Sequence, residues 1–202
     1  MTDTSPDASP GGDARPGAGV PGDWESALLV AVPEAEPAVG EHRARLDSSA
    51  RDGVPAHLTV LYPFLPPASI DGAVLGSLHG LFAEFAPFEV ALDRVCWFDE
   101  DVVWLAPRDD GPFRALTGAV FAAFPNCPPY GGGYADVIPH LTIGDRDDPK
   151  ALRAAAEAVR GNLPIEARIT EVTLMAGPAQ GNPATQPGRW RTLAAFPLGI
   201  RA

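Results

Sequence analysis

The sequence predicts an α+β fold built from two similar halves, each running β-α-β-α-β. Three observations lead there. The string His57-Leu58-Thr59-Val60 returns as His140-Leu141-Thr142-Ile143. Around each copy, apolar strand-like runs and helix-like stretches follow one another in the same order. The chain has 202 residues and is 46% hydrophobic, enough for one sizeable domain or two small lobes sharing a core.

The elements follow in order. Ala27-Leu28-Leu29-Val30-Ala31-Val32 is a compact apolar run and reads as a buried strand. Residues 33–49 carry Glu, Arg and Ala at helical spacing. Residues 57–62 form the first motif strand, ended by the proline-rich stretch 63–67. Residues 71–85 read as a helix, with Asp71 in a capping or first-turn position. Phe88-Glu89-Val90-Ala91-Leu92 alternates and reads as the third strand. Asp99-Glu100-Asp101 then turns one half into the other. Val102-Val103-Trp104-Leu105 opens the second half, and residues 111–124 form a helix beginning at Pro112. Residues 138–143 carry the second motif strand. An Ala-rich helix over 149–160 stops at Gly161-Asn162, and the matching strand lies within 165–175. A last strand falls near 190–196.

Composition narrows the function. Residues 1–22 are rich in Pro, Gly, Asp, Ser and Ala and read as a disordered tail, without the basic-then-apolar pattern of a secretory signal. Residues 23–202 are expected to form the single bilobal unit. No apolar run approaches the roughly 18 residues of a membrane span. Cys96 and Cys127 are too few for a disulfide framework and read as idle thiols in a reducing cytoplasm. A net charge of −11 argues against a tight grip on long nucleic acid but allows a small or terminal phosphate in a local pocket. No stable protein partner is expected.

The repeated string carries the chemistry. Alternate residues of a strand share a face, so His57 stands beside Thr59 and His140 beside Thr142. Leu58, Val60, Leu141 and Ile143 then enter the opposite layer. Both histidines also follow proline-marked lead-ins, Val54-Pro55-Ala56 and Val137-Ile138-Pro139. If the halves pack about a pseudo-two-fold axis, the two imidazoles meet in one cleft. Two groups that titrate near neutrality and two neutral donors suit acid–base work on a phosphate.

These motifs, with Pro-Ala-His-Leu-Thr-Val-Leu-Tyr-Pro-Phe and Ile-Pro-His-Leu-Thr-Ile-Gly around them, resemble the 2H phosphoesterase superfamily. That superfamily includes bacterial 2'-5' RNA ligase-like proteins and cyclic phosphodiesterases. The resemblance covers residues 23–202 and implies a bilobal α+β fold whose mainly antiparallel sheets line a central cleft. It implies His57 and His140 as the catalytic acid–base pair, with Thr59 and Thr142 donating to non-bridging phosphate oxygens. The implied reaction is hydrolysis or transfer at a 2',3'-cyclic phosphate or a 2'-5' phosphodiester of RNA or a small nucleotide, with neither metal nor nucleotide cofactor. A non-catalytic module that binds nucleotide or phosphate ends is the alternative.

Secondary candidates surround the motifs. Tyr62 and Phe64 are expected to wall the cleft or stack a base, with core packing as the other reading of each. Gly131-Gly132-Gly133-Tyr134 reads as a flexible connector or a lip with Tyr134 at its edge. Several members of the superfamily it resembles place a basic residue shortly after the second motif. Here Gly144-Asp145 intervenes before Arg146, and Arg43, Arg45 and Arg51 are further basic candidates. No His-Glu-x-x-His string, Gly-x-Ser-x-Gly context or nucleotide-binding lysine motif appears; Lys150 is the only lysine.

Overall fold

The first apolar run becomes β1 (Trp24–Ala31) in a computed structural model that describes residues 24–134, 136–145, 148–179 and 189–199. The expected tail, and Arg146, lie outside the described residues. A short 3-10 turn at Pro33–Ala35 leads into α1 (Glu36–Leu46), and α2 (Ser48–Arg51) follows at once. The expected single helix breaks at Asp47, whose extended backbone and side-chain acceptance from the Ser49 N–H make it a helix cap. Next come β2 (His57–Leu61), α3 (Gly72–Ala83) and β3 (Phe88–Phe98). Asp71 caps α3 by accepting from Val74 N–H at 2.9 Å.

The second half runs β4 (Val102–Pro107), α4 (Gly111–Ala123), β5 (Leu141–Asp145) and α5 (Pro149–Arg160). In α5 the buried residues Leu152, Ala155, Ala156 and Val159 recur at helical spacing and form one inward stripe. The single strand expected within 165–175 is two, β6 (Ile165–Ile169) and β7 (Glu171–Pro178), separated at Thr170. They join different sheets, a long-range distinction that a local pattern does not carry. β8 (Arg191–Pro197) is the last of the described strands.

Both sheets are antiparallel, in the orders β2-β1-β7-β8 and β5-β4-β3-β6. The two halves are thus interleaved. β3 enters the sheet of the second half, and β7 enters the sheet of the first. The helices interleave as well: α1 packs on β5, and α4 packs on β2. Thr117 of α4 donates to the Val60 carbonyl at 2.8 Å. Arg43 of α1 donates to the Thr142 carbonyl at 2.8 Å. Each motif strand is therefore an edge strand clamped by a helix from the other half, and β2 and β5 lie against one another. One apolar core runs through both sheets and includes Leu58, Val60, Leu141 and Ile143, each at most 1% exposed. Among the described residues no helix is long and apolar enough to cross a membrane.

Close packing fixes β5 under α1 and α5. A Cβ added to Gly144 would fall 2.7 Å from Leu46 Cβ and 2.9 Å from Leu152 Cδ2. Gly144→Ala is expected to lower stability by about 1–3 kcal/mol, read as a reduced urea midpoint. An unchanged midpoint would show that this packing is looser than described.

Candidate active site

Both motifs place histidine at the very start of a strand. His57 opens β2, and His140 sits one residue ahead of β5 rather than inside it. His57 Nδ1 lies 2.8 Å from the Pro55 carbonyl, and His140 Nδ1 lies 2.8 Å from the Ile138 carbonyl. A carbonyl only accepts, so in each ring Nδ1 carries the hydrogen and donates. The free lone pair of each neutral imidazole is then on Nε2. The same bond, to the carbonyl two residues back, orients both rings.

The rings differ in their surroundings. His140 stands edge-on to Phe98 and Trp104, with centroids 5.0 and 5.7 Å away, and those two rings stack on each other at 4.6 Å. Burial lowers its pKa, opposed by the bond to Ile138. His57 is pushed down to about 4, mainly by burial and next by the Arg43 guanidinium. The Pro55 bond and Asp47 oppose this, and His140 adds a further lowering. The two imidazoles are therefore close enough to repel each other when charged.

Arg43 is 1% exposed, so it is not a surface phosphate clamp. One terminal nitrogen donates to the Thr142 carbonyl at 2.8 Å and pairs with Asp47 Oδ2 at 2.8 Å. The other donates to the Val54 and Pro55 carbonyls, each at 3.1 Å. The guanidinium thus ties the lead-in of the first motif to the backbone of the second. Arg45 and Arg51 remain exposed.

The remaining expected residues divide. Thr59 lies across from Leu29, and Thr142 across from Trp104; both are half-buried beside their histidines. Tyr62 is half-buried and donates its hydroxyl to Glu25, and burial together with that carboxylate raises its pKa. Tyr134 is 68% exposed and stands edge-on to Tyr130 at 5.7 Å. Phe64 takes the core-packing reading: it is buried in the core against Phe124, with centroids 5.1 Å apart.

Tyr130 was not expected. Its backbone is left-handed (φ 50°), its N–H donates to the Tyr62 carbonyl at 2.6 Å, and its ring meets Tyr62 edge-on at 6.4 Å. Burial raises the phenol pKa while a hydrogen bond with Thr59 opposes it, so Tyr130 reaches the first motif. A non-glycine residue in this conformation leaves no signal in the sequence. Phe98 and Trp104 were likewise missed, because strand aromatics read as core. Among the described residues no group of three or more His, Cys, Asp or Glu is placed to hold a metal. A cleft of about 540 Å³ lined by Trp97, Arg153 and Arg160 lies elsewhere and contains neither histidine.

A model of the 2'-5' RNA ligase superfamily matches residues 31–179. Among solved structures, E. coli LigT complexed with 3'-AMP is 19% identical at a TM-score of 0.54, covering 88% of this chain and 99% of LigT. LigT complexed with NADP+ gives 20% identity and a TM-score of 0.52, with the same coverage. TT0787 of Thermus thermophilus gives 19% and 0.57, covering 87% of this chain and 98% of that one. At these identities the likeness is one of fold. No curated protein matches the chain.

The depressed His57 couples folding to pH. Its ordinary pKa is 6.5 and its folded value about 4, so the unfolded chain takes up the proton first as pH falls. Its contribution to stability is complete above about 6.5, declines as pH falls toward about 4, and is flat below. The urea midpoint is expected to fall across that window, and less steeply in His57→Gln. An equal slope in the two proteins would contradict this reading of His57.

Proposed function

Because the chain belongs to the 2'-5' RNA ligase superfamily, we propose that it is a metal-independent phosphodiesterase acting on a 2',3'-cyclic phosphate or a 2'-5' phosphodiester of RNA or a small nucleotide. The observation that carries this is the matched pair of Nδ1-anchored histidines, each leaving its Nε2 free at the head of one of two adjoining edge strands. One Nε2 takes a proton from water as the water oxygen bonds to phosphorus. The other delivers a proton to the ribose oxygen as its bond to phosphorus breaks, leaving a monoester. Ligation is the same chemistry in reverse, with an RNA hydroxyl opening the cyclic phosphate.

Thr59 and Thr142 donate to the non-bridging oxygens, where charge grows as the nucleophile adds. Tyr62 and Tyr134, joined by Tyr130, offer rings to a nucleoside on the side of the first motif. The net charge of −11 favours a small ligand over a long RNA. LigT, similar in fold, has been crystallised with 3'-AMP and with NADP+, which supports a nucleotide-sized ligand.

Turnover of 2',3'-cyclic nucleotides and 2'-5' dinucleotides in EDTA is the test. Activity is expected to survive the chelator and to follow a bell-shaped pH profile. His57→Ala and His140→Ala should each cost about 10²–10⁴-fold while remaining folded, since each removes one proton transfer. Wild-type rates in either variant would remove the assigned roles. Tight nucleotide binding with no turnover would point instead to a binding module.

A further inference from the structure

We propose that Arg43 is a positioning residue that makes the two histidines unequal, so that His57 deprotonates the nucleophile and His140 protonates the leaving oxygen. This rests on the acid–base reading above and goes beyond it by assigning the two roles, which the matched motifs leave open.

The asymmetry is geometric. The Pro55 carbonyl accepts from His57 Nδ1 at 2.8 Å and from Arg43 at 3.1 Å. Among the described residues, the Ile138 carbonyl that anchors His140 has no second side-chain donor. A fixed positive charge thus sits one carbonyl away from His57. His140 instead faces the rings of Phe98 and Trp104. The charged groups acting on His57 are Arg43, Asp47 and His140, and Glu36 and Asp145 act on Arg43 in turn. Asp47 offsets only part of the Arg43 effect, because desolvation and the guanidinium are the two largest influences on His57. Two imidazoles that repel each other hold their first proton mainly at one site. With the guanidinium beside His57, that site is His140.

The proton inventory then closes. The reacting form has His57 neutral and His140 charged. Water loses a proton to His57 Nε2 while its oxygen bonds to phosphorus. The phosphorus–ribose oxygen bond breaks, and that oxygen takes the proton from His140 Nε2. The enzyme emerges with the proton on His57, the disfavoured site, and exchange with solvent restores the starting form. The guanidinium fork also holds the Thr142 carbonyl, so the same side chain sets the distance between the motifs.

Leaving-group chemistry separates the roles. A nucleoside 3'-(4-nitrophenyl phosphate) releases a phenolate that needs no proton, whereas a 2',3'-cyclic nucleotide releases an alkoxide that does. His140→Ala is expected to lose about 10²–10⁴-fold on the cyclic substrate and less than about tenfold on the nitrophenyl ester. His57→Ala should lose heavily on both. Rescue of His57→Ala instead, or equal rescue of both, overturns the assignment.

NMR titration of the imidazoles needs no substrate, so it stands even if neither compound is turned over. His140 should titrate above His57 in the wild type, and the reverse order sinks the inference. Arg43→Met should raise the His57 midpoint by about one pH unit or more while His140 moves far less. Equal movement of both, or none, refutes the Arg43 assignment. If Arg43→Met does not fold, Arg43→Lys keeps the charge but loses the fork. It should leave His57 low yet reduce kcat by about tenfold or more, and a folded Arg43→Lys with wild-type kcat refutes the positioning role.

Discussion

One buried guanidinium holds the architecture of the site. Arg43 leaves α1 and reaches three carbonyls, two before the first histidine and one in the second motif, with Asp47 as its counter-charge. Arginine cannot shed its proton, so burial is tolerated only if the charge is met on every side. Burial pulls the Arg43 pKa down, and Asp47, Glu36 and Asp145 pull it back. Removing one member of such a pair costs about 3–5 kcal/mol, because the partner is stranded. An apolar residue of similar volume is often no worse for stability once both charges are gone. The value of the guanidinium is therefore in direction: its planar fork fixes where three carbonyls lie, and two of those belong to the segments that aim the catalytic candidates.

That cross-link has its effect because the halves are interleaved. β3 and β7 each complete the sheet of the opposite half, and α1 and α4 each cover the opposite motif strand. A chain of two independent lobes would leave the relative position of the histidines to a linker. Here one hydrophobic core spans both sheets, so β2 and β5 cannot separate without exposing Leu58, Val60, Leu141 and Ile143. Edge strands are normally a liability, since their unpaired groups invite other chains. In this fold the two edge strands lie against one another, and one carbonyl of each, Thr142 and Val60, is met by Arg43 and Thr117.

Much of this was legible from sequence, for identifiable reasons. The motif strands declared themselves because strict alternation and a repeated His-x-Thr are local signals, and the cap at Asp71 lies where a short polar side chain satisfies a free N–H group. What escaped was set at long range. The split of 165–175 into β6 and β7 depends on which sheet each strand joins. Phe64 reads identically as a cleft wall or as core until Phe124 is placed against it. Arg43 looked like one helix arginine among several, since nothing in its spacing reveals that it is the one turned inward. Tyr130 adopts a backbone that sequence assigns to glycine or asparagine, held there by its bond to Tyr62.

The resting electrostatics also bear on how such a site selects its ligand. Burial depresses both imidazoles, and Arg43 depresses His57 further, so neither ring on its own favours the imidazolium form. A phosphate entering between them carries the negative charge that offsets desolvation and raises the affinity of a nearby imidazole for a proton. In the proposed reaction, ligand and proton therefore bind with mutual help, and the charged histidine is formed chiefly where there is a phosphodiester to act on. A neutral ligand of the same shape lacks that coupling, and a polyanion gains it only at the one phosphate lodged between the two rings. Its remaining phosphates meet an acidic protein at net charge −11, which works against long strands. On the proposed reaction, selectivity for a single small or terminal phosphodiester would follow from the local neutrality of the histidines set within a globally negative chain.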